Sequence, residues 1–183
     1  MISRIISIIL ILLLFPLLVL IATIILVDNG FPVLFRQKRI GLNNNKFIVY
    51  KFRTMKKDVS DIATHLISDE KHIFISSGKF LRKFSFDELP QLINILKGEM
   101  KFIGPRPALY NQNDLIQLRT DRGIHKLFPG ITGWAQINGR DDLSILEKVD
   151  LDYYYLANKS YLLNLKIIIV TISQIIFPKG VSH

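Results

Sequence analysis

Two adjacent carboxylates, Asp87 and Glu88, lie in the short stretch SFDELPQL (85–92) of a strongly basic chain. Such a pair can hold Mg²⁺ when phosphate oxygens complete the coordination, and a carboxylate can also attack phosphorus directly. The stretch also has a purely structural explanation, because Ser85 followed three residues later by Glu88 matches a capping box. Since free N–H groups at a helix N-terminus stabilise phosphate charge, the two interpretations are compatible.

Basic side chains on three segments are candidates for binding the phosphate groups. Lys51 and Arg53 end the predicted strand in YKFRTM, Arg106 lies between two prolines in GPRP, and Arg140 ends the glycine-rich stretch PGITGWAQINGR. Any one of them could be an ordinary solvated charge. The two prolines, however, restrict the backbone around a planar guanidinium that matches phosphate. Asp152, in LDYYYL, is a third acidic candidate.

The composition indicates a protein that faces both lipid and anions. Lys and Arg total 24 against 15 Asp and Glu, which gives a net charge of +9 although 49% of the residues are hydrophobic. This combination indicates apolar surface beside lipid and basic surface beside anions. The absence of cysteine excludes disulfides, thiolate metal sites and a cysteine nucleophile. No close metal-ligand spacing occurs among the histidines, which are His65, His72, His125 and His183.

Residues 5–27 carry no charge and, as a straight helix, would reach about 35 Å, enough to cross a hydrocarbon core of about 30 Å. This length, with no small-x-small cleavage site after it, argues against a secretory signal. Pro16 at the midpoint predicts a kink or a break. The residues alone therefore leave a kinked span slightly favoured over a re-entrant hairpin, because broken backbone at membrane depth is costly. The basic residues that follow place the bulk of the protein in the cytoplasm.

The pattern after the membrane segment predicts an α+β fold that is predominantly helical. Two aromatic and β-branched runs separated by GLNNN indicate a β-hairpin over 32–55. Helical patterns and a glycine-rich loop follow, with helices over 79–101, about 108–126 and 144–158 and the loop over 129–142. The last run, 161–177, is polar on one half and aliphatic on the other, which suits an amphipathic helix in the membrane interface, with burial in the core as the alternative. We divide the chain into a membrane segment, 1–30, and a membrane-associated catalytic domain, 31–183.

Four motifs in one order carry a resemblance to a known family. The sequence resembles the bacterial sugar transferases known as monotopic phosphoglycosyl transferases through residues 50–55, 81–107, 129–140 and 151–156. The resemblance implies a re-entrant membrane helix broken at the proline and amphipathic interfacial helices. It also implies a location on the cytoplasmic face of the inner membrane. Families of this kind begin the assembly of bacterial surface glycans and glycoprotein glycans.

The resemblance further implies transfer of a phospho-sugar from a UDP-sugar to polyprenyl phosphate, giving polyprenyl-diphosphate-sugar and UMP. By position, Asp87 would attack the β-phosphate and carry a covalent intermediate. Glu88 would help to place Mg²⁺ or take a proton from the lipid phosphate. Lys51 and Asp152 match other active-site positions, and Arg106 is the best phosphate clamp. Membrane lipids, the donor and the acceptor are the expected partners, and nucleic acid is not.

A function of another class uses the same basic surface. A membrane-tethered protein without catalytic activity could bind anionic lipid, or even nucleic acid, through its Lys and Arg residues. The two functions differ in what they require of the acidic pair. A binding protein tolerates Asp87→Asn, whereas the enzyme does not.

Overall fold

The apolar N-terminal segment forms one helix, α1 (Ile2–Asn29), in the computed structural model, which describes residues 1–56, 73–139 and 142–177. Among the described residues it is the one helix whose length and composition would allow it to cross a membrane. The predicted break at Pro16 does not divide it, since Pro16 lies inside a continuous helix. A proline removes one backbone donor, and Leu14 and Leu17 on either side pack against the rest of the protein. These contacts favour a continuous helix at that point.

The predicted β-hairpin is confirmed. Strands β1 (Leu34–Ile40) and β2 (Lys46–Phe52) pair antiparallel, from Leu34 opposite Phe52 to Ile40 opposite Lys46. Asn43 and Asn44 in the turn have positive φ angles of 52° and 61°. Asparagine tolerates this left-handed backbone better than most residues, so the turn residues of GLNNN are suited to this hairpin.

The single helix predicted over 79–101 is wrong, because the chain breaks three times there. Helix α2 (Gly78–Lys83), a 3-10 turn (Phe86–Glu88), helix α3 (Gln91–Lys97) and strand β3 (Lys101–Ile103) follow one another. Ser85 adopts a left-handed conformation with φ of 55°, which ends α2. Gly98, with φ of 83°, ends α3 in the left-handed form that glycine adopts without strain. The acidic pair therefore lies on a short turn between two helices.

The C-terminal half is mainly helical, and its predicted loop contains regular structure. Its elements are α4 (Asn113–Asp121), a 3-10 turn (Ile124–Lys126), β4 (Gly130–Thr132), α5 (Trp134–Ile137), α6 (Ile145–Asn158) and α7 (Tyr161–Ile176). Strand β4 pairs parallel with β3, so the loop predicted over 129–142 includes a strand and a helix. Ser144 and Glu147 form a capping box that fixes the start of α6.

Three apolar clusters join these elements. Helix α1 contributes to two of them, through Ile21 and Ile25 in one and partly buried Leu10, Ile11 and Leu14 in the other. The first also contains Phe52, Ile75 and Leu81, and the second contains Val49, Leu92, Ile95 and Met100. The third lies among the C-terminal elements and contains Ala108, Leu115, Ile124 and Val149. Packing of α1 on the hairpin, α2 and α3 thus builds the side of the fold that carries the acidic turn.

Both ends of α1 contact the same globular body. Near the start, Arg4 Nη2 donates to the carbonyl of Lys97 at the end of α3, at 3.1 Å. Near the end, the Asp28 carboxylate accepts bonds from the N–H and the hydroxyl of Ser77, each at 3.0 Å. The opposite face is exposed and aliphatic or aromatic, with Ile9, Leu12, Leu13, Phe15, Val19, Leu20 and Val27. Helix α1 lies along the domain instead of projecting from it.

Helix α7 packs on the domain through the side that carries Asn164, Ile167 and Thr171, so burial of its aliphatic half in the core is wrong. Thr171 shares a hydrogen bond of 2.7 Å with Thr132, and Gln174 donates to the carbonyl of Ile137. Its exposed residues are largely apolar and include Tyr161, Leu162, Leu165, Ile168, Ile169, Ile172 and Ile176. This distribution matches the predicted amphipathic helix. The observed fold is predominantly helical with a short antiparallel hairpin and a short parallel pair.

Candidate active site

The turn that carries the acidic pair is not a capping box. The Ser85 side chain makes no capping bond to the turn. Both N–H groups that a capping box satisfies already bond to backbone, since the Ser85 N–H donates to Arg82 and the Glu88 N–H donates to Ser85. A left-handed residue other than glycine costs about 1–3 kcal/mol, and such strain is frequent at functional sites. The structural explanation for the SFDELPQL pattern is therefore wrong, and the acidic pair needs another one.

Asp87 and Glu88 are both buried, each with 7% of its surface exposed. Glu88 Oε1 lies 2.7 Å from Lys51 Nζ and 3.4 Å from Arg106 Nη1. These cations come from β2 and from the loop after β3, so the hairpin and the GPRP segment meet at the acidic turn. A carboxylate buried with two cations is compensated for the loss of hydration. The structure thus brings Lys51 and Arg106, which are distant in the sequence, to the adjacent acidic pair.

Lys51 is strongly affected by this environment. Burial lowers the pKa of Lys51 below its ordinary value of 10.5, and the charge of Arg106 lowers it further. The Glu88 and Asp87 carboxylates oppose this effect by favouring the charged ammonium. Perturbed titration within a cluster of charges is characteristic of functional sites.

The close approach of two glycine-containing segments positions Arg106. A Cβ atom on Gly104 would lie 2.2 Å from the carbonyl oxygen of Phe128. A Cβ atom on Gly133 would lie 2.1 Å from the carbonyl oxygen of Gly104. No side chain fits at such distances, so glycine at both positions allows GPRP to pack directly on β4. This packing holds the loop that presents Arg106 to Glu88.

Asp152 lies on α6 and pairs with an arginine that the sequence did not indicate. Arg119, on α4, donates to Asp152 Oδ2 from Nη2 at 2.5 Å and from Nε at 3.0 Å. Its Nη1 also donates to the backbone carbonyl of Arg106 at 2.8 Å. Burial raises the pKa of Asp152 from its ordinary value, and Arg119 opposes that shift. Asp152 is thus linked to the acidic site through Arg119.

Of the two other predicted phosphate-binding residues, Arg53 and Arg140, the structure describes Arg53. Arg53 follows β2, and its buried Nη1 has no hydrogen-bond partner within the described part of the chain. A buried guanidinium nitrogen without a partner is expensive, which makes it a suitable donor for an anion. Arg140 lies outside the described residues.

Trp134 is half-buried and packs against aromatic and basic neighbours. Its ring stacks on Tyr154 with centroids 5.3 Å apart, and Lys166 Nζ lies 5.3 Å from its ring. The arrangement joins α5, α6 and α7. Trp134 therefore has a packing role.

A sequence profile of the bacterial sugar transferase family matches residues 1–178 of this chain. The chain belongs to that family. It is similar to EpsL of Bacillus subtilis (strain 168), an uncharacterized sugar transferase, with 44% identity over 156 residues. The match covers 84% of this sugar transferase and 75% of EpsL.

Two longer relatives have more specific names. The undecaprenyl-phosphate glucose phosphotransferase of Komagataeibacter xylinus is 43% identical over 187 residues, which cover 95% of this sugar transferase and 35% of that protein. The UDP-N-acetylgalactosamine-undecaprenyl-phosphate N-acetylgalactosaminephosphotransferase of Aeromonas hydrophila is 36% identical over 176 residues, covering 90% and 40%. The chain spans less than half the length of these two relatives. The family and these names show that the protein is a transferase.

The donor set of this sugar transferase suits a divalent cation that also binds phosphate. In the described residues no group of three or more His, Asp, Glu or Cys side chains could hold a metal alone. Asp87 and Glu88 offer two adjacent carboxylates, and Mg²⁺ ordinarily binds one or two carboxylates with phosphate oxygens and water. The residues present therefore fit Mg²⁺ that arrives with a phosphate ligand.

Proposed function

We propose that this sugar transferase moves a phospho-sugar from a UDP-sugar to polyprenyl phosphate, giving polyprenyl-diphosphate-sugar and UMP. The buried pair of Asp87 and Glu88 beside Lys51 and Arg106 carries this proposal. Positive groups can neutralise phosphate oxygens while a carboxylate approaches phosphorus. The names of the two longer relatives, which act on undecaprenyl phosphate, support the lipid acceptor. The product would begin the assembly of a surface glycan or a glycoprotein glycan.

In the proposed first step, a carboxylate oxygen of Asp87 attacks the β-phosphorus of the donor. The bond from that phosphorus to the bridging oxygen breaks, and UMP leaves with the bridging oxygen and its electron pair. In the second step, a phosphate oxygen of the lipid attacks the same phosphorus. The aspartyl oxygen–phosphorus bond then breaks, which restores the carboxylate. Both substrates can thus use one pocket in turn, because UMP leaves before the lipid reacts.

The surrounding residues divide the remaining work. Glu88 forms ion pairs with Lys51 and Arg106, so we propose that it holds these two cations in place. It would also help to bind the metal. Lys51, Arg53 and Arg106 would bind phosphate oxygens. Arg53 is included because its buried Nη1 has no hydrogen-bond partner among residues 1–56, 73–139 and 142–177. Mg²⁺ held by Asp87 and Glu88 would neutralise charge on the diphosphate.

We place the protein on the cytoplasmic face of the inner membrane, with α1 re-entrant in the sense that both of its ends lie on that face. The support is that α1 lies along the domain, that Arg4 and Asp28 anchor its two ends to one body, and that its outer face is apolar. The exposed apolar face of α7 would lie in the interface. The chain has no cysteine, so single cysteines at positions 2 and 38 can be labelled in cells with a membrane-impermeant maleimide. Both should react only after the membrane is opened; labelling of position 2 from the periplasm rejects the re-entrant helix.

The enzymatic proposal is tested with a panel of UDP-sugars, polyprenyl phosphate and Mg²⁺, following UMP release. Asp87→Asn should abolish release and leave membrane association unchanged. The matched control is Asp150→Asn, because Asp150 is an exposed aspartate in an ion pair with Arg122. Mass spectrometry of the wild-type protein with donor alone should find a phospho-sugar on the peptide that contains residue 87. Normal turnover by Asp87→Asn would refute the nucleophile, and a folded protein inert to all donors would favour the anion-binding function.

A further inference from the structure

The segment Pro105-Arg106-Pro107 has few backbone groups that can donate hydrogen bonds to the rest of the fold. Prolines have no backbone N–H, so Arg106 supplies the only backbone donor in this tripeptide. The loop must therefore be held mainly through its carbonyl groups. The position of the Arg106 guanidinium depends on how firmly those carbonyls are bound.

Each of the three carbonyls accepts a hydrogen bond from a different part of the fold. The Pro105 carbonyl accepts from the Gly130 N–H of β4 at 3.0 Å. The Pro107 carbonyl accepts from Arg39 Nη1 of β1, also at 3.0 Å. The central carbonyl, that of Arg106, accepts from Arg119 Nη1 at 2.8 Å. The bond nearest the phosphate-binding side chain thus comes from a side chain on α4.

The Arg119 guanidinium is itself held in one orientation. Two of its nitrogens donate to Asp152 Oδ2, and the third donates to the Arg106 carbonyl. The side chains of Arg119 and Asp152 are 11% and 2% exposed. A planar guanidinium bound at three nitrogens has little rotational freedom. Asp152 is nearly inaccessible; Arg119 donates two hydrogen bonds to it, and the charge of Lys148 also attracts its carboxylate.

We propose that Arg119 is a positioning residue for Arg106 and that Asp152 acts on the reaction through Arg119 instead of by touching substrate. This proposal rests on the transferase function proposed above only in its choice of assay. It gives Asp152, which the family resemblance matches only to an active-site position, the role of supporting a phosphate clamp. It also adds to the site a residue whose sequence context, LRTDRG, resembles an ordinary solvated helix end.

The fold offers a matched control pair. Arg122 and Asp150 join the end of α4 to α6 close to Arg119 and Asp152, with the same two side-chain types. Their side chains are 40% and 62% exposed, and they reach no loop carbonyl among the contacts of the described residues. Arg122→Lys should keep activity within about twofold of wild type, because exposed ion pairs contribute little.

The test measures kcat and KM for UMP release in detergent for Arg119→Lys, Arg106→Lys and the double variant. Lysine keeps the charge opposite Asp152 but cannot bond both Asp152 and the Arg106 carbonyl in the same geometry. We expect Arg119→Lys to lower kcat about 10²-fold, the effect of a misplacement of about 1 Å. In the Arg106→Lys background the same change should cost less than about twofold, since both act on one group. Asp152→Asn should show the same dependence.

The outcomes separate this proposal from its alternatives. Losses that multiply in the double variant, or an Arg119→Lys effect no larger than that of Arg122→Lys, would overturn it. Unfolding of Arg119→Lys by circular dichroism would also overturn it, because Arg119 would then have a general structural role. If the wild type releases no UMP, the transferase function fails by itself. The positioning role is then judged by calorimetry with inorganic diphosphate, whose affinity should fall with the same non-additivity.

Discussion

Replacement of Glu88 by glutamine tests whether this carboxylate stabilises the fold by compensating two neighbouring cations or is needed only for the reaction. Glu88 Oε1 lies 2.7 Å from Lys51 Nζ and 3.4 Å from Arg106 Nη1, and the Glu88 side chain is 9% exposed. Glutamine has nearly the same shape and removes the charge. Lys51 and Arg106 would then be two neighbouring cations without the carboxylate between them. We therefore expect Glu88→Gln to lower the stability of the fold as well as activity.

The expected loss of stability in Glu88→Gln follows from these distances. At an effective dielectric constant of about 20, the attractions are about 6 kcal/mol to Lys51 and about 5 kcal/mol to Arg106. The cost of removing the charges from water offsets most of this. Loss of one partner of a buried pair typically costs about 3 kcal/mol, the value expected here. For a chain of this length that corresponds to a fall in Tm of about 6–12 °C.

Thermal unfolding followed by circular dichroism in detergent measures this effect. The control is Asp150→Asn, whose exposed ion pair should shift the free energy of unfolding by less than about 0.5 kcal/mol. In a Lys51→Met background the cost of Glu88→Gln should fall by about 1–3 kcal/mol, since one cation no longer needs it. A Tm for Glu88→Gln equal to that of wild type would refute the anchoring role, and so would identical costs in the two backgrounds.

Two further predictions concern the residues around the dyad. Because burial lowers the pKa of Lys51, its charge is lost at a lower pH than that of an ordinary lysine, so kcat/KM should fall on the alkaline side with a midpoint below 10.5. Lys51→Arg stays charged and should remove this fall; an unchanged alkaline limb would show that another group titrates. Gly104→Ala should lower the free energy of unfolding by about 1–3 kcal/mol, since its Cβ would lie 2.2 Å from the Phe128 carbonyl oxygen. A wild-type urea midpoint for Gly104→Ala would contradict this close packing.

Features with local causes could be predicted from the sequence. The GLNNN turn, the start of α6 and the two faces of α7 depend on residues a few positions apart. Backbone preference and amphipathic period act over that distance. The acidic pair and its basic neighbours were also identified, through motif resemblance and residue chemistry. For Lys51, Glu88 and Arg106 the structure confirms proximity, while their roles stay predictions.

Features that depend on distant contacts could not be predicted. The helical period over 79–101 does not indicate that Ser85 is left-handed. The neighbouring Phe86 and Leu89 pack on a cluster built from α1, β2 and α2, which local periodicity cannot show. Arg119 carries no local signal either. Its partner Asp152 is 33 positions away, and its bond to the Arg106 carbonyl exists only because α4, α6 and the loop after β3 meet.

The sequence by itself determined the chemical groups, the family and the amphipathic character of the membrane-facing elements, since these are properties of residue type and spacing. Tertiary structure alone decided that Glu88 shares one oxygen between Lys51 and Arg106 and that α1 lies along the domain through both of its ends. The reason is physical: burying a charge is favourable only with a partner in place, and the chain must fold before distant partners can meet.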